Sequence, residues 1–205
     1  MKLKLPVVFP AAVLLVVCSA AVPQAMGIGY QPMSQALDAL QSDNAVVVTQ
    51  AAISPWQQPL YVFTPKNASP NTGFIFYPGG MIDPRSYAPL MRGIASYGFL
   101  TAIVPMPLNL AVFGSMRAQQ VIKAYPSIGT WAVGGHSLGG VMACRFVKKE
   151  TAGEALQGLV LWAAYPSGVF SLANKNIQML SIYGTNDGLT TEKDIENSRD
   201  DLPAD

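Results

Sequence analysis

Histidine is nearly missing from this sequence: the 205 residues contain one, His136. Cysteine is almost as scarce, with Cys18 and Cys144 the two examples. Neither residue type recurs at the spacing of a metal site, so no metal and no cofactor are expected. Cys18 falls in an N-terminal apolar run and Cys144 stands alone in the remainder, which excludes a disulfide within the domain; Cys144 reads as a small buried hydrophobe. Charge is thin as well. Lys, Arg, Asp and Glu make up 12% of the chain, where about 25% is usual, and the net charge is +1. That balance offers no basic surface, so nucleic acid is not an expected partner. Hydrophobic residues are not lacking: they are half of the chain, and mean hydropathy is +0.28, which excludes a disordered chain. The 18 glycines and 16 prolines follow no period, excluding collagen-like and low-complexity classes.

The first 25 residues explain part of the low charge. Lys2 and Lys4 precede an uncharged apolar run from Leu5 to Val22, which holds the small residues Ser19, Ala20 and Ala21 near its end. That layout predicts a secretory signal over residues 1–25. At about 18 residues the run is also at the short end for an uncleaved membrane anchor. Either way the globular part is expected outside the cytoplasm, secreted or attached to a membrane. Residues 26–44 are small and polar and are expected to form a linker with a short helix over Met33–Leu40. Residues 45–205 are then one domain.

Within that domain, apolar runs of strand length alternate with helical periodicity. Strands are predicted at Ala45–Ala52, Leu60–Thr64, Gly73–Tyr77, Leu100–Pro105, Thr130–Gly134, Leu156–Ala163 and Ile177–Tyr183. The later ones are apolar throughout, as parallel strands covered on both faces should be; the first two read as a hairpin. Tyr87, Leu90, Met91 and Ile94 fall at helical spacing, as do Ala118, Val121, Ile122 and Tyr125. Leu138–Thr151 reads as a third helix ended by Gly153, and Thr191 with Asp194 as a capping box for a fourth over Thr191–Arg199. The pattern predicts an α/β fold with a mostly parallel, doubly wound sheet.

One motif carries chemistry. Thr130–Gly140 reads TWAVGGHSLGG, a strand, then Gly135-His136-Ser137-Leu138-Gly139, then a helix. G-x-S-x-G at a strand-to-helix turn lifts a serine hydroxyl above the carboxyl edge of the sheet, and the flanking glycines relieve the crowding of a strained turn. The Leu138 N–H then lies at a helix N-terminus, where it could stabilise an oxyanion.

Three segments together, FYPGGMIDPRSYAPL at Phe76–Leu90, GGHSLGG at Gly134–Gly140 and YGTNDGL at Tyr183–Leu189, resemble the α/β hydrolase superfamily. With VPMPLNLAVFG at Val104–Gly114, the likeness is to its small lidless branch, the dienelactone-hydrolase-like and α/β hydrolase family 5 proteins. The resemblance implies a serine hydrolase of carboxylesterase type, with Ser137 as nucleophile and Asp187 as the triad acid. It implies a second oxyanion donor at the N–H of Gly80 or Met81, although Pro-Gly-Gly is also good turn chemistry. The sixth strand ends Ala163-Ala164-Tyr165-Pro166 and offers no carboxylate at the alternative acid position. The serine departs from the cysteine of dienelactone hydrolases proper, so their substrate is not carried over. Small esters, thioesters and lactones all suit such an apparatus. About a dozen residues separate the sixth and seventh strands, too few for a cap domain, so an open site is expected, with Met81, Met106, Leu108 and Phe113 near its lining. Asp83-Pro84 reads as a helix start, not as chemistry.

The base is the difficulty. His136 adjoins Ser137, and neighbours at a strand end point to opposite sides, so His136 reads as structural. In the superfamily the histidine follows an eighth strand, and residue 205 falls before it. The expectation is therefore a chain lacking the last strand and helix, with the catalytic histidine beyond residue 205. The alternative is a non-catalytic or degenerate hydrolase fragment that at most binds a ligand.

Overall fold

The computed structural model describes residues 31–149 and 155–203. The predicted signal, and the last two residues of the helix predicted to reach Thr151, lie outside the described residues. Seven strands form one sheet: β1 (Val46–Ala51), β2 (Leu60–Pro65), β3 (Thr72–Tyr77), β4 (Leu100–Ile103), β5 (Thr130–His136), β6 (Leu156–Trp162) and β7 (Gln178–Ile182). Five α-helices accompany them among the described residues: α1 (Ser34–Asp38), α2 (Ala88–Ser96), α3 (Arg117–Ala124), α4 (Leu138–Lys149) and α5 (Glu192–Asn197). The spatial order is β1-β2-β4-β3-β5-β6-β7. β1 and β2 pair as the predicted hairpin, and β2 runs antiparallel to β4; the remaining pairs are parallel. All seven predicted strands are present, with ends shifted by one or two residues where the chain turns out of the sheet.

Alternation along the strands divides the core into two faces. Leu60, Val62, Ile75, Val133, Leu159 and Leu161 pack with α3 and α4. Phe63, Phe74, Phe76 and Ile103 pack with α2 on the other side. Trp131, Phe63, Phe76 and Phe146 are fully buried, each stabilising the fold by roughly 1.5–3 kcal/mol. Cys144 lies in this core as expected, and burial pushes its thiol up to about 12.

Two details differ from the periodicity reading. The chain enters α2 through a 3-10 turn at Pro84–Tyr87, for which Asp83 accepts the Arg85 N–H at 2.9 Å. That turn resets the phase, so α2 buries Ala88, Met91 and Ala95 while Leu90 faces solvent. Residues 34–43 are also docked: Ala36 is buried, Arg92 Nε donates to the Ala39 carbonyl at 2.8 Å, and Arg92 pairs with Asp43 at 2.5 Å. The capping box at Thr191 and Asp194 forms as its spacing predicts.

Among the described residues, β7 ends the sheet. Its Leu180 and Ile182 are 53% and 48% exposed, beside the half-buried Val160 and Trp162 with which they are in register. No helix among the described residues is long and apolar enough to cross a membrane.

Tyr77, at the end of β3, ties the sheet to the start of α3: its buried hydroxyl donates to the Ser115 carbonyl at 2.7 Å and accepts the Ala118 N–H at 2.9 Å. Tyr77→Phe would leave both backbone groups buried without that partner. A loss of about 1–3 kcal/mol in unfolding free energy is expected, read from urea denaturation with an unchanged m-value.

Candidate active site

Winding direction in a parallel sheet reverses where successive crossovers leave opposite faces, and open α/β sheets bind ligands outside the carboxyl ends of strands at that point. Here β3 lies between β4 and β5, so the loops leaving β3 and β5 meet. Every non-glycine residue with positive φ among those described sits just past a strand end on this edge: Met81 (61°) after β3, Leu108 and Asn109 (54° each) after β4, Ser137 (51°) after β5 and Ala163 (45°) after β6. Such conformations are strained for side-chain-bearing residues and persist only where the surroundings over-determine them.

The over-determination at Ser137 is visible. Its N–H donates to the Trp162 carbonyl at 2.9 Å, and its own carbonyl accepts the Val141 N–H at 3.2 Å. The strand and the helix pass so closely that a Cβ on Gly135 would lie 2.5 Å from the Gly139 backbone, and one on Gly139 would lie 2.1 Å from the Tyr77 carbonyl oxygen. The serine side chain itself is exposed. No cap covers it among the described residues, as the short β6–β7 connection predicted.

Opposite the elbow, the loop after β3 is held from two sides. Met81 donates its N–H to the Asn109 carbonyl at 2.8 Å, and Gly79 donates to the Tyr87 hydroxyl at 3.0 Å. The Met81 N–H is thereby engaged, whereas those of Gly80 and Leu138 have no partner among the described residues. Gly80 lies against the Leu138 side chain, 3.2 Å from where its Cβ would be. Of the four residues expected near the lining, Met106 belongs to the core, Met81 is half-buried, and Leu108 and Phe113 are exposed.

His136 turns toward this loop. Its Nδ1 lies 2.9 Å from the Tyr87 hydroxyl, and the two rings are 6.0 Å apart. With Tyr87 Oη accepting from Gly79, its proton is directed at His136 Nδ1, which makes the neutral imidazole an acceptor there. Burial lowers the His136 pKa, opposed by the charge of Asp187, and burial pushes Tyr87 up to about 12. The ends of the relay Gly79–Tyr87–His136 lie 57 positions apart in sequence, and no sequence pattern announces it.

Asp187 follows β7 in the Gly184–Leu189 turn, half-buried. Its Oδ1 accepts the N–H groups of Thr190 (3.0 Å) and Leu189 (2.8 Å). These bonds, and next the nearby His136, hold its pKa below the ordinary carboxylate value. Oδ2 has no partner among the described residues.

A model of the alpha/beta hydrolase family matches residues 73–205. No curated protein matches the chain. Among solved structures, the chain is similar to a proposed dienelactone hydrolase from Klebsiella pneumoniae, at TM-score 0.60 and 17% identity over 78% of this chain and 81% of that one. It is similar to a thermophilic esterase from the Planctomycetes species Thermogutta terrifontis, at 0.59 and 13% over 78% and 77%. A Thermus thermophilus protein gives 0.58 and 16% over 77% and 82%. At these identities the likeness is one of fold.

Two outcomes are expected. Gly139→Ala forces a Cβ onto the Tyr77 and Pro78 carbonyls; it should destabilise the chain by about 1–3 kcal/mol or more, measured by denaturant unfolding. Because the His136 pKa is lowered by folding, the unfolded chain takes up that proton first. Stability contributed by neutral His136 is complete above 6.5 and is lost as pH falls from 6.5 toward the lower folded value. Unfolding free energies across this window should show that slope in the native chain and not in His136→Gln.

Proposed function

From the premise that the chain belongs to the alpha/beta hydrolase family, we propose that it is a serine hydrolase that transfers the acyl group of a small ester to water through Ser137. The observation that carries this reading is the pairing of an exposed serine at φ 51° with two unengaged N–H groups, those of Leu138 and Gly80. Ser137 Oγ attacks the carbonyl carbon while a base takes its proton. The carbonyl oxygen gains charge between the two N–H donors, and the tetrahedral adduct collapses to expel the alcohol, which receives the proton. Water repeats the sequence on the acyl-enzyme and releases the acid. Met81, its N–H held by Asn109, positions the loop in this reading, and Gly80 is the donor.

The base in this proposal is a histidine carried after residue 205. Two features support it. His136 Nδ1 is occupied by Tyr87, and Asp187 Oδ2 is open to an imidazole N–H, which would fix its tautomer. The edge of β7, with Leu180 and Ile182 uncovered beside it, suits a further strand and helix. Thioesters and lactones fit the same chemistry; the esterase, at 13% identity, lends its fold and not its substrate. The N-terminal Lys2, Lys4 and Leu5–Val22 run supports export or membrane anchoring of the domain.

Hydrolysis of p-nitrophenyl acetate by the full-length protein should fall by roughly 10⁴-fold or more in Ser137→Ala. Equal rates in both would overturn the proposal. Reading the gene past codon 205 checks the base: a histidine one strand further on is expected, and replacing it by alanine should cost about as much as Ser137→Ala.

A further inference from the structure

The loop carrying the Gly80 N–H begins with Gly79-Gly80, and glycine backbones have the widest conformational freedom of any residue. An oxyanion donor acts only if its direction is fixed before the charge develops. Rigidity here has to come from bonds around the glycines. The Gly79 carbonyl accepts the Ile82 N–H at 3.3 Å, and Met81 donates its N–H to the Asn109 carbonyl at 2.8 Å. Gly79 donates its own N–H to the Tyr87 hydroxyl at 3.0 Å. The Gly79 carbonyl and the Gly80 N–H belong to one planar trans peptide and point in opposite directions, so whatever fixes Gly79 aims Gly80. The aim is toward a defined place, because the Cβ position of Gly80 is 3.2 Å from the side chain of Leu138 at the elbow.

The bonds to Ile82 and Asn109 join backbone to backbone, whereas the bond to Tyr87 depends on a side chain that is itself held. Tyr87 Oη lies 2.9 Å from His136 Nδ1. With its proton directed at the neutral imidazole, the phenol oxygen is left to accept from Gly79. Its ring packs on Phe76, the centres 4.6 Å apart. The approach is so close that a Cβ on Gly79 would lie 2.7 Å from Nδ1 and 3.0 Å from Oη. His136 precedes Ser137 in the chain and pairs with Trp162, whose carbonyl accepts the Ser137 N–H at 2.9 Å. One hydroxyl therefore ties the donor loop to the same end of β5 that carries the serine.

We propose that Tyr87 is a positioning residue for the oxyanion site: its hydroxyl, held by His136, fixes the Gly79–Gly80 peptide so that the Gly80 N–H meets the charge formed when Ser137 attacks. The proposal rests on the esterase reading of Ser137 and adds to it a residue that acts through the backbone of the donor loop.

In the full-length protein, Tyr87→Phe keeps the ring and removes the hydroxyl. With p-nitrophenyl acetate it should lower kcat about tenfold, a part of what losing an oxyanion donor outright costs, and change KM by less than about twofold. A trifluoromethyl ketone, whose adduct with Ser137 carries the oxyanion, should lose affinity by the same factor. His136→Asn sets a carbonyl oxygen near the place of Nδ1 and should hold kcat within about threefold of the native value. His136→Leu, of similar size without an acceptor, should match Tyr87→Phe, and the two changes together should cost no more than either alone. Unchanged kcat in Tyr87→Phe, a rise in KM in place of the fall in kcat, undiminished ketone affinity, or additive losses in the double variant overturns the proposal. Amide hydrogen exchange needs no turnover: Met81, whose N–H is held by Asn109 and not by Tyr87, should exchange faster in Tyr87→Phe, and unaltered exchange there also overturns it. Failure of the esterase reading appears separately, as p-nitrophenyl acetate hydrolysis indifferent to Ser137→Ala.

Discussion

The contact between the first turn of α4 and the ends of β3 and β5 organises the edge of the sheet on which the candidate site stands. Backbone meets backbone there: Gly139 lies against the Tyr77 and Pro78 carbonyls, and Gly135 lies against Gly139. Any Cβ at these positions would push the helix off the sheet. With it would go the turn that holds Ser137 in a left-handed conformation, because that turn is fixed by hydrogen bonds to β6 on one side and within α4 on the other. Strain in the turn is sustained by packing around it, which is the condition under which such strain persists.

A second layer of constraint acts on the facing loop. Met81 is bonded to Asn109, itself in a left-handed conformation, and Gly79 is bonded to Tyr87. Tyr87 in turn lies between Phe76, whose ring centre is 4.6 Å away, and His136. The lone histidine therefore belongs to the scaffold that holds the loop, and its neutral form is the one that accepts from Tyr87. Asn109, on the strained loop after β4, steadies the facing loop.

Much of this architecture was legible in the residues. Seven apolar runs became seven strands, and the hairpin, the elbow, the Thr191 capping box and the Asp83-Pro84 turn all formed where composition and spacing indicated. These features depend on neighbours within a few positions, which local sequence encodes. Of the face predicted for α2, Met91 is buried and Tyr87 and Ile94 pack against the core, whereas Leu90 turns to solvent behind the 3-10 turn; the segment before β1 read as a linker because its docking runs through Arg92, about 50 residues away. Around the candidate site, Ser137 and Leu138 stood out by motif, and Gly80 and Asp187 by the family resemblance. The engagement of the Met81 N–H was not legible: asparagine tolerates a left-handed turn, but Asn109 lies on another strand's loop and no local pattern pairs its carbonyl with Met81.

The order of strands and helices, the glycines that permit an elbow, and the scarcity of histidine that leaves one imidazole to interpret are all written in the residues. Hydrophobic periodicity and glycine's missing side chain are local properties, readable without a fold. Folding alone settles which N–H groups are engaged and which open among the described residues, and that His136 meets Tyr87 and the β3 loop; Arg117 likewise comes to lie half-buried with no counter-charge among the described residues. Those outcomes depend on groups far apart along the chain meeting at a few ångströms, where one hydrogen bond or one missing carboxylate changes what a residue can do.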